Sequence, residues 1–272
     1  MKTYIKTILA CLMFLFYASG CEGPLVLDVS VQEGVYQLKS LNRLTPYYFA
    51  DKKNSPLNLF NINLKMTNKC TILADLKLLH PLNAVIKLGN LNRPYLLLFD
   101  VESEKMTLYL DDNGDLDITP GETTYQLYKQ KVLYYNMPVA EYFTAVPIRI
   151  NVPYEISGKR EDRELLIIPF VLKLTDKSYR LLVVNRHWLV GKGKMDQEDV
   201  YFAVVDQNAN GIYHDPKDII FFDLDKDGVF RDPEGVQYKK LNNFLDATGS
   251  KFQVVLGEAY PQTIKVVKVG KG

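Results

Sequence analysis

Apolar and polar residues alternate along much of this chain with a period of two. Phe60, Ile62 and Leu64 stand against Asn61 and Asn63, and Ile148, Ile150 and Val152 against Arg149 and Asn151. That period sends alternate side chains to opposite faces of a β-strand. Short stretches rich in aliphatic or aromatic residues read as strands at 25–31, 57–66, 71–79, 95–99, 106–110 and 125–135. Others fall at 145–156, 165–174, 179–184, 200–205, 219–224, 252–256 and 263–267. Gly, Pro, Asn and Asp fill the gaps. Helical pattern is scarce, and 239–247 suggests one or two turns at most. Many short strands separated by turn residues predict an all-β fold, a β-sandwich or barrel-like architecture.

The chain has 272 residues, which exceeds a typical sandwich and allows two β domains. The expected organisation is a signal at 1–20, an N-terminal β region at 21–144 and a C-terminal one at 145–272. A break is suggested near 136–144 or 157–164. The second stretch holds Lys159, Arg160, Glu161, Asp162, Arg163 and Glu164 and reads as a solvated hairpin tip.

Composition narrows the classes. At 47% apolar and 24% charged residues the chain can bury a core, so disorder is excluded. A formal net charge of +1 lacks the basic field that non-specific nucleic-acid binding requires. Tyr 18 and Phe 13 against Trp 1 reinforce the β reading.

The first residues look like an address. Lys2 and Lys6 precede an apolar run at 7–17, and Ala18, Ser19 and Gly20 stand before Cys21. A basic start, a short apolar segment and small residues form a secretory signal, and the apolar run is too short to span a bilayer. The segment 18–21 resembles the lipobox of bacterial lipoproteins, with Ala18 where that family prefers Leu. The resemblance implies lipidation of Cys21 and a protein anchored to the cell envelope, at the outer membrane, on its periplasmic or surface face. Cys11 leaves with the signal, so Cys70 is left without a disulfide partner and is expected to be a buried thiol.

The strongest chemical signal lies at 223–234. A calcium loop of twelve residues supplies oxygen from positions 1, 3, 5, 7, 9 and 12, with Gly at position 6 for the turn. Asp223, Asp225 and Asp227 fill positions 1, 3 and 5, Gly228 position 6, the Val229 carbonyl position 7 and Glu234 position 12. The segment resembles an EF-hand calcium loop. A second copy has Asp206, Asn208, Asn210 and Gly211 at positions 1, 3, 5 and 6 and the Ile212 carbonyl at 7. Its twelfth residue is Lys217, so Asp218 or Asp215 must close the site, which is expected to be weaker. An Asn-Gly hairpin turn is the alternative. A third copy has Asp111, Asn113, Asp115, Asp117 and Glu122 at positions 1, 3, 5, 7 and 12, with Leu116 where Gly is normal.

The flanks of these loops are apolar β runs rather than amphipathic helices, so the opening switch of calcium sensors does not carry over. The loops resemble the structural calcium loops of thrombospondin type 3 and dockerin repeats. The phrase from 206 to 228 also resembles the front modules of Bacteroidota-type envelope lipoproteins, some of which continue into a thioredoxin-like domain. This chain has no Cys-x-x-Cys, so no redox activity is implied. Within 206–234, eight acids face three bases, a repulsion that a cation would relieve.

Enzyme signatures are few. His80, His187 and His214 form no zinc motif, and no Gly-x-Ser-x-Gly or phosphate-binding loop is present. Trp188 is either a sugar-stacking platform or a structural residue. The expectation is a lipid-anchored envelope protein that binds two or three calcium ions in a structural or partner-binding role, the partner being an envelope protein or a glycan. The rival is a calcium-scaffolded enzyme acting on glycans or peptidoglycan, with no catalytic residue to nominate.

Overall fold

The computed structural model describes residues 25–42, 64–65, 76–119, 121–134, 137–144, 146–175, 178–206, 208–215, 218–224, 226, 238–240 and 244–271. The signal, Cys21, Cys70, Asp225, Asp227, Val229 and Glu234 lie outside them. Among the described residues there is no helix, and the all-β expectation holds.

The strands are β1 (Leu25–Val26), β2 (Gly34–Asn42), β3 (Leu64–Lys65), β4 (Pro81–Leu88), β5 (Arg93–Val101) and β6 (Lys105–Leu110). There follow β7 (Thr124–Tyr134), β8 (Met137–Thr144), β9 (Ile148–Ile156), β10 (Lys159–Thr175), β11 (Ser178–Asn185) and β12 (His187–Met195). The last are β13 (Glu198–Val205), β14 (Ile219–Asp223), β15 (Tyr238–Lys240), β16 (Phe244–Leu245), β17 (Ser250–Val255) and β18 (Thr263–Lys271). One sheet runs β1-β16-β17-β18-β2-β12-β13-β14-β15, and the other runs β3-β11-β10-β8-β7-β6-β5-β4 with β9 added on β10. One forms a half-barrel and the other a nearly closed barrel. The second sheet runs through residue 144, because Phe143 on β8 pairs with Phe170 on β10. β2 joins the sheet of the C-terminal strands through both β12 and β18.

Side-chain alternation explains the packing. On β6, Met106, Leu108 and Leu110 are buried, and on β9, Ile148, Ile150 and Val152 are buried with Arg149 and Asn151 exposed between them. The main core draws Leu97, Leu108 and Ile150 from one sheet and Phe202, Val204 and Ile264 from the other. A second core joins β8, β10 and β11 to β12, β13 and β14. Trp188 sits there, 1% exposed and stacked on Phe221 at 5.7 Å, and is therefore structural.

Several expectations need correction. The turns of helix at 239–247 are instead the strands β15 and β16, because Phe244 packs between Phe222 and Phe252. The Asp246 carboxylate then ties the following turn by accepting from the Thr248 and Ser250 amides. Leu76 and Leu78, expected in a strand, are not in one; they pack as cover over Leu96 and Leu98. β2, β4, β8 and β12 were not expected, and β8 occupies the stretch where a break was suggested. In β12 the break in the apolar pattern is Gly191, where a Cβ would lie 2.5 Å from the Gln37 carbonyl oxygen. Close approach of β2 demands glycine there. The charged stretch 159–164 begins β10 itself, and the hairpin tip is Ser157-Gly158.

Candidate metal centre

All three acidic loops leave the end of a strand, β6, β13 or β14, and share one backbone design. Position 4 takes positive φ in each: Gly114 at 69°, Ala209 at 54° and Lys226 at 57°. Position 6 does so in both loops described there, Leu116 at 68° and Gly211 at 79°. Leu116 thus adopts the left-handed conformation that glycine ordinarily supplies, at a cost of about 1–2 kcal/mol.

The side chains repeat as well. In the first loop Asp111 is buried and accepts from the amides of Gly114 (2.6 Å), Asp115 (3.2 Å) and Leu116 (2.9 Å). In the second, Asp206 is buried and accepts from Asn210 (3.3 Å) and Gly211 (2.7 Å). Position 3 accepts from the amide of position 5, Asn113 from Asp115 at 2.8 Å and Asn208 from Asn210 at 3.2 Å. Position 5 accepts from the amide of position 7, Asp115 from Asp117 at 2.9 Å and Asn210 from Ile212 at 2.7 Å. A closing acid then accepts from the amide three residues before it, Glu122 from Thr119 and Asp218 from Asp215, each at 2.7 Å. Asp218 therefore stands where Glu122 stands, one residue later in its loop. At position 8, Ile118 and Tyr213 are buried anchors, 2% and 0% exposed.

The loops differ in what faces their centres. In the first, one carboxylate oxygen from each of Asp111, Asp115 and Glu122 lies within 4.8 Å of the other two. Oxygens that far apart can share a cation with calcium–oxygen distances of 2.3–2.6 Å. Glu122 Oε1 is shielded from water and has no hydrogen-bond partner. Burial pushes the Glu122 carboxyl up, as do Asp111, Asp112 and Asp115, against the pull of the Thr119 amide. Asn113 donates to Asp115 Oδ2 at 2.9 Å. Asp117 does not join the cluster; its Oδ1 accepts from the Ile118 amide at 2.8 Å.

In the second loop, Asn208 and Asn210 turn their amide nitrogens onto Asp215 Oδ2, at 2.8 and 2.6 Å. Asp206 Oδ2 also accepts from Asn185 Nδ2 at 2.8 Å. Burial pushes Asp206 up to about 6, although Asn185, Gly211 and Asn210 donate to it. The loop is wedged between the sheets. Its Gly211 carbonyl accepts from Tyr154 Oη (2.7 Å), its Asn210 carbonyl from the Gly89 amide (2.8 Å), and its Tyr213 amide donates to the Ala259 carbonyl (2.8 Å). Tyr213 Oη donates to the His187 carbonyl at 2.8 Å. Sequence spacing could not reveal these partners, because each comes from a distant strand or turn.

Of the third loop, Asp223, Leu224 and Lys226 are described. Asp223 is fully buried, and Lys226 pairs with Glu198 at the start of β13. No family model, no curated protein and no solved structure matches this chain.

Proposed function

We propose that this is a lipid-anchored cell-envelope protein whose acidic loops bind calcium in a structural or partner-presenting role. The observation that carries the ion is the convergence of Asp111, Asp115 and Glu122, with a buried Glu122 oxygen that lacks a partner. Burying a carboxylate oxygen unpaired is costly, and a hard dication offsets that cost. The spacing of Asp223, Asp225, Asp227, Val229 and Glu234 supports a second site on sequence grounds. The loop holding Asp206, Asn208, Asn210, Ile212 and Asp218 is the weaker one, since its amides already hold Asp215. Lipidation at Cys21 rests on the sequence alone, and so does the envelope location. The enzyme reading gains no residue, and Trp188, its sugar platform, is buried.

Loops of this kind bind calcium with dissociation constants around 10⁻⁴–10⁻³ M in extracellular modules. At about ten times that concentration each site adds about 1.4 kcal/mol. Melting with calcium and then chelator tests the reading, alongside Asp115→Ala and Asp225→Ala. A calcium-dependent rise in Tm that each variant diminishes supports it; no response to any divalent cation overturns it. Loss of labelled-lipid incorporation in Cys21→Ser tests the anchor.

A further inference from the structure

The sheet that begins at β1 gathers lysines on its outer face, away from the acidic loop at 111–122. Strands β17, β18, β2, β12 and β13 lie side by side in that order. Residues directly opposite in an antiparallel pair share a face, so the register assigns the outward positions. Val255 stands opposite Lys265, and Lys265 opposite Val35. Lys39, on the same side of β2 as Val35, stands opposite Val190. Lys192 and Lys194 follow Val190 on that side of β12 and stand opposite Tyr201 and Asp199. On β17, Lys251, Gln253 and Val255 are the exposed residues of the alternation.

Lys39, Lys192, Lys194, Lys251 and Lys265 are all exposed, on a chain whose formal net charge is only +1. Among the described residues, two exposed acids stand beside these five lysines, which leaves an excess of three positive charges. Asp199 bridges Lys194 at 2.6 Å and Lys192 at 3.9 Å. Glu33, just ahead of β2, accepts from the Lys268 amide. Asp223, opposite Tyr201, is buried. Apolar side chains are interspersed with the lysines: Val35 is 62% exposed, Tyr201 45% and Val255 40%. Lys192 Nζ lies 5.0 Å from the centroid of the Tyr201 ring.

The spread of these charges selects the size of the partner. At about 4.8 Å per strand, the face from β17 to β13 is about 19 Å wide. A small anion cannot meet lysines so far apart, whereas an extended anionic partner can. Lysine is a flexible point charge that imposes no fixed fork geometry, which suits negative groups free to move sideways. The valines and the tyrosine separate the remaining choices. A hydrated acidic polymer has no apolar layer to receive them. A bilayer does: tyrosine settles at the level of the headgroups, and aliphatic side chains enter the boundary beneath.

We propose that this face docks on the surface of an anionic lipid bilayer, through Lys39, Lys251 and Lys265 with Val35 and Val255 between them. Each lysine near such a surface strengthens binding by about fivefold. The attraction fades with salt, because the charges are exposed. The surface is a contact additional to the lipid anchor at Cys21 and does not depend on it. The two are compatible in position, since β1, the strand nearest Cys21 in sequence, is the end of this same sheet.

The test is co-sedimentation of the purified full chain, carrying no lipid, with vesicles of phosphatidylcholine or of an equal mixture with phosphatidylglycerol, at constant calcium. The parent is expected to favour the mixed vesicles by about a hundredfold, and added salt should reduce that preference. Lys39→Gln, Lys251→Gln and Lys265→Gln should each cut it by about fivefold while Tm holds, and the triple variant should lose most of it. The apolar run at 7–17 is common to parent and variants, so the difference between them reports the face. If the triple variant does not fold, the single variants carry the test. Polygalacturonate, an acidic polymer without an apolar layer, should fail to displace the chain from the vesicles at equal charge. The proposal is overturned by equal binding to both vesicles, by a preference unchanged in the folded variants, or by displacement with polygalacturonate. Failure of lipid incorporation at Cys21 would overturn the anchor alone.

Discussion

The loops at 111–122 and 206–218 share a backbone and part company in their surroundings. Both begin with a buried aspartate that gathers successive amides, and both close with an acid bonded three residues back. The first lies on the outer face of its own sheet, where Ile118 packs on Leu96 and Leu98. The second is wedged between sheets and bonded to Tyr154, Gly89 and Ala259. An exposed loop can leave carboxylates facing a cation. A wedged one must satisfy its polar groups from the protein, because each unpaired group there would cost about 1–3 kcal/mol. Asparagine at positions 3 and 5 does this by donating to Asp215.

The largest way to break this comparison is at position 6. A Cβ on Gly211 would sit 2.8 Å from both Leu165 Cδ1 and Tyr154 Oη, at φ +79°. Gly211→Ala is expected to cost about 3 kcal/mol from overpacking and left-handed strain. Thermal melting should show a fall of roughly 6–12 °C; a change of a degree or less would contradict the wedge.

A comparable effect should appear with pH. Asp206 is raised by burial to about 6, so the folded state holds its proton first. Acidification from about 6 toward the ordinary 3.8 therefore adds stability, on the order of 3 kcal/mol. His187 is lowered to about 4, so acidification from 6.5 toward 4 removes a similar amount. The two oppose each other in nearly one window. Asp206→Asn should unmask the histidine, so that Tm falls on acidification from 6.5 to 4 more steeply than in the parent. An identical pH profile in both would sink this account.

Smaller effects separate the loops as ion sites. Glu122→Gln should diminish the calcium-dependent stabilisation of about 1.4 kcal/mol at tenfold excess, while Asp215→Asn should leave most of it. Equal losses would mean that the loops share the ion. Smallest of all, Leu116→Gly should change stability by no more than about 0.5 kcal/mol, because relief of positive φ offsets the entropy of glycine. Its contrast with Gly211→Ala measures how differently one position is used.

Much of this architecture could be read along the chain. Alternation at 148–152 named the buried face correctly, and spacing alone aligned Asp111 with Asp206 and Asp223. What escaped is what depends on neighbours. β12 hid behind Gly191, whose reason lies in Gln37 and Phe202. Leu116 looked wrong for its position until its backbone showed the glycine conformation. Tyr213, at position 8, carried no signal of its own; it fills a core site and bonds the His187 carbonyl. Asn185 and Tyr154 carry no such signal; their roles exist in the space between two sheets.

The first strand has a consequence for reach. β1 begins at Leu25 and pairs parallel with β16, and Leu27 is fully buried and bonded to the Leu245 carbonyl. Four residue steps separate Cys21 from Leu25, a leash of at most about 14 Å. If Cys21 carries a lipid, the edge of the sheet at β1 and β16 is held within that distance of the bilayer surface. That edge would then be the part kept nearest the membrane, and the opposite end the part able to reach furthest from it.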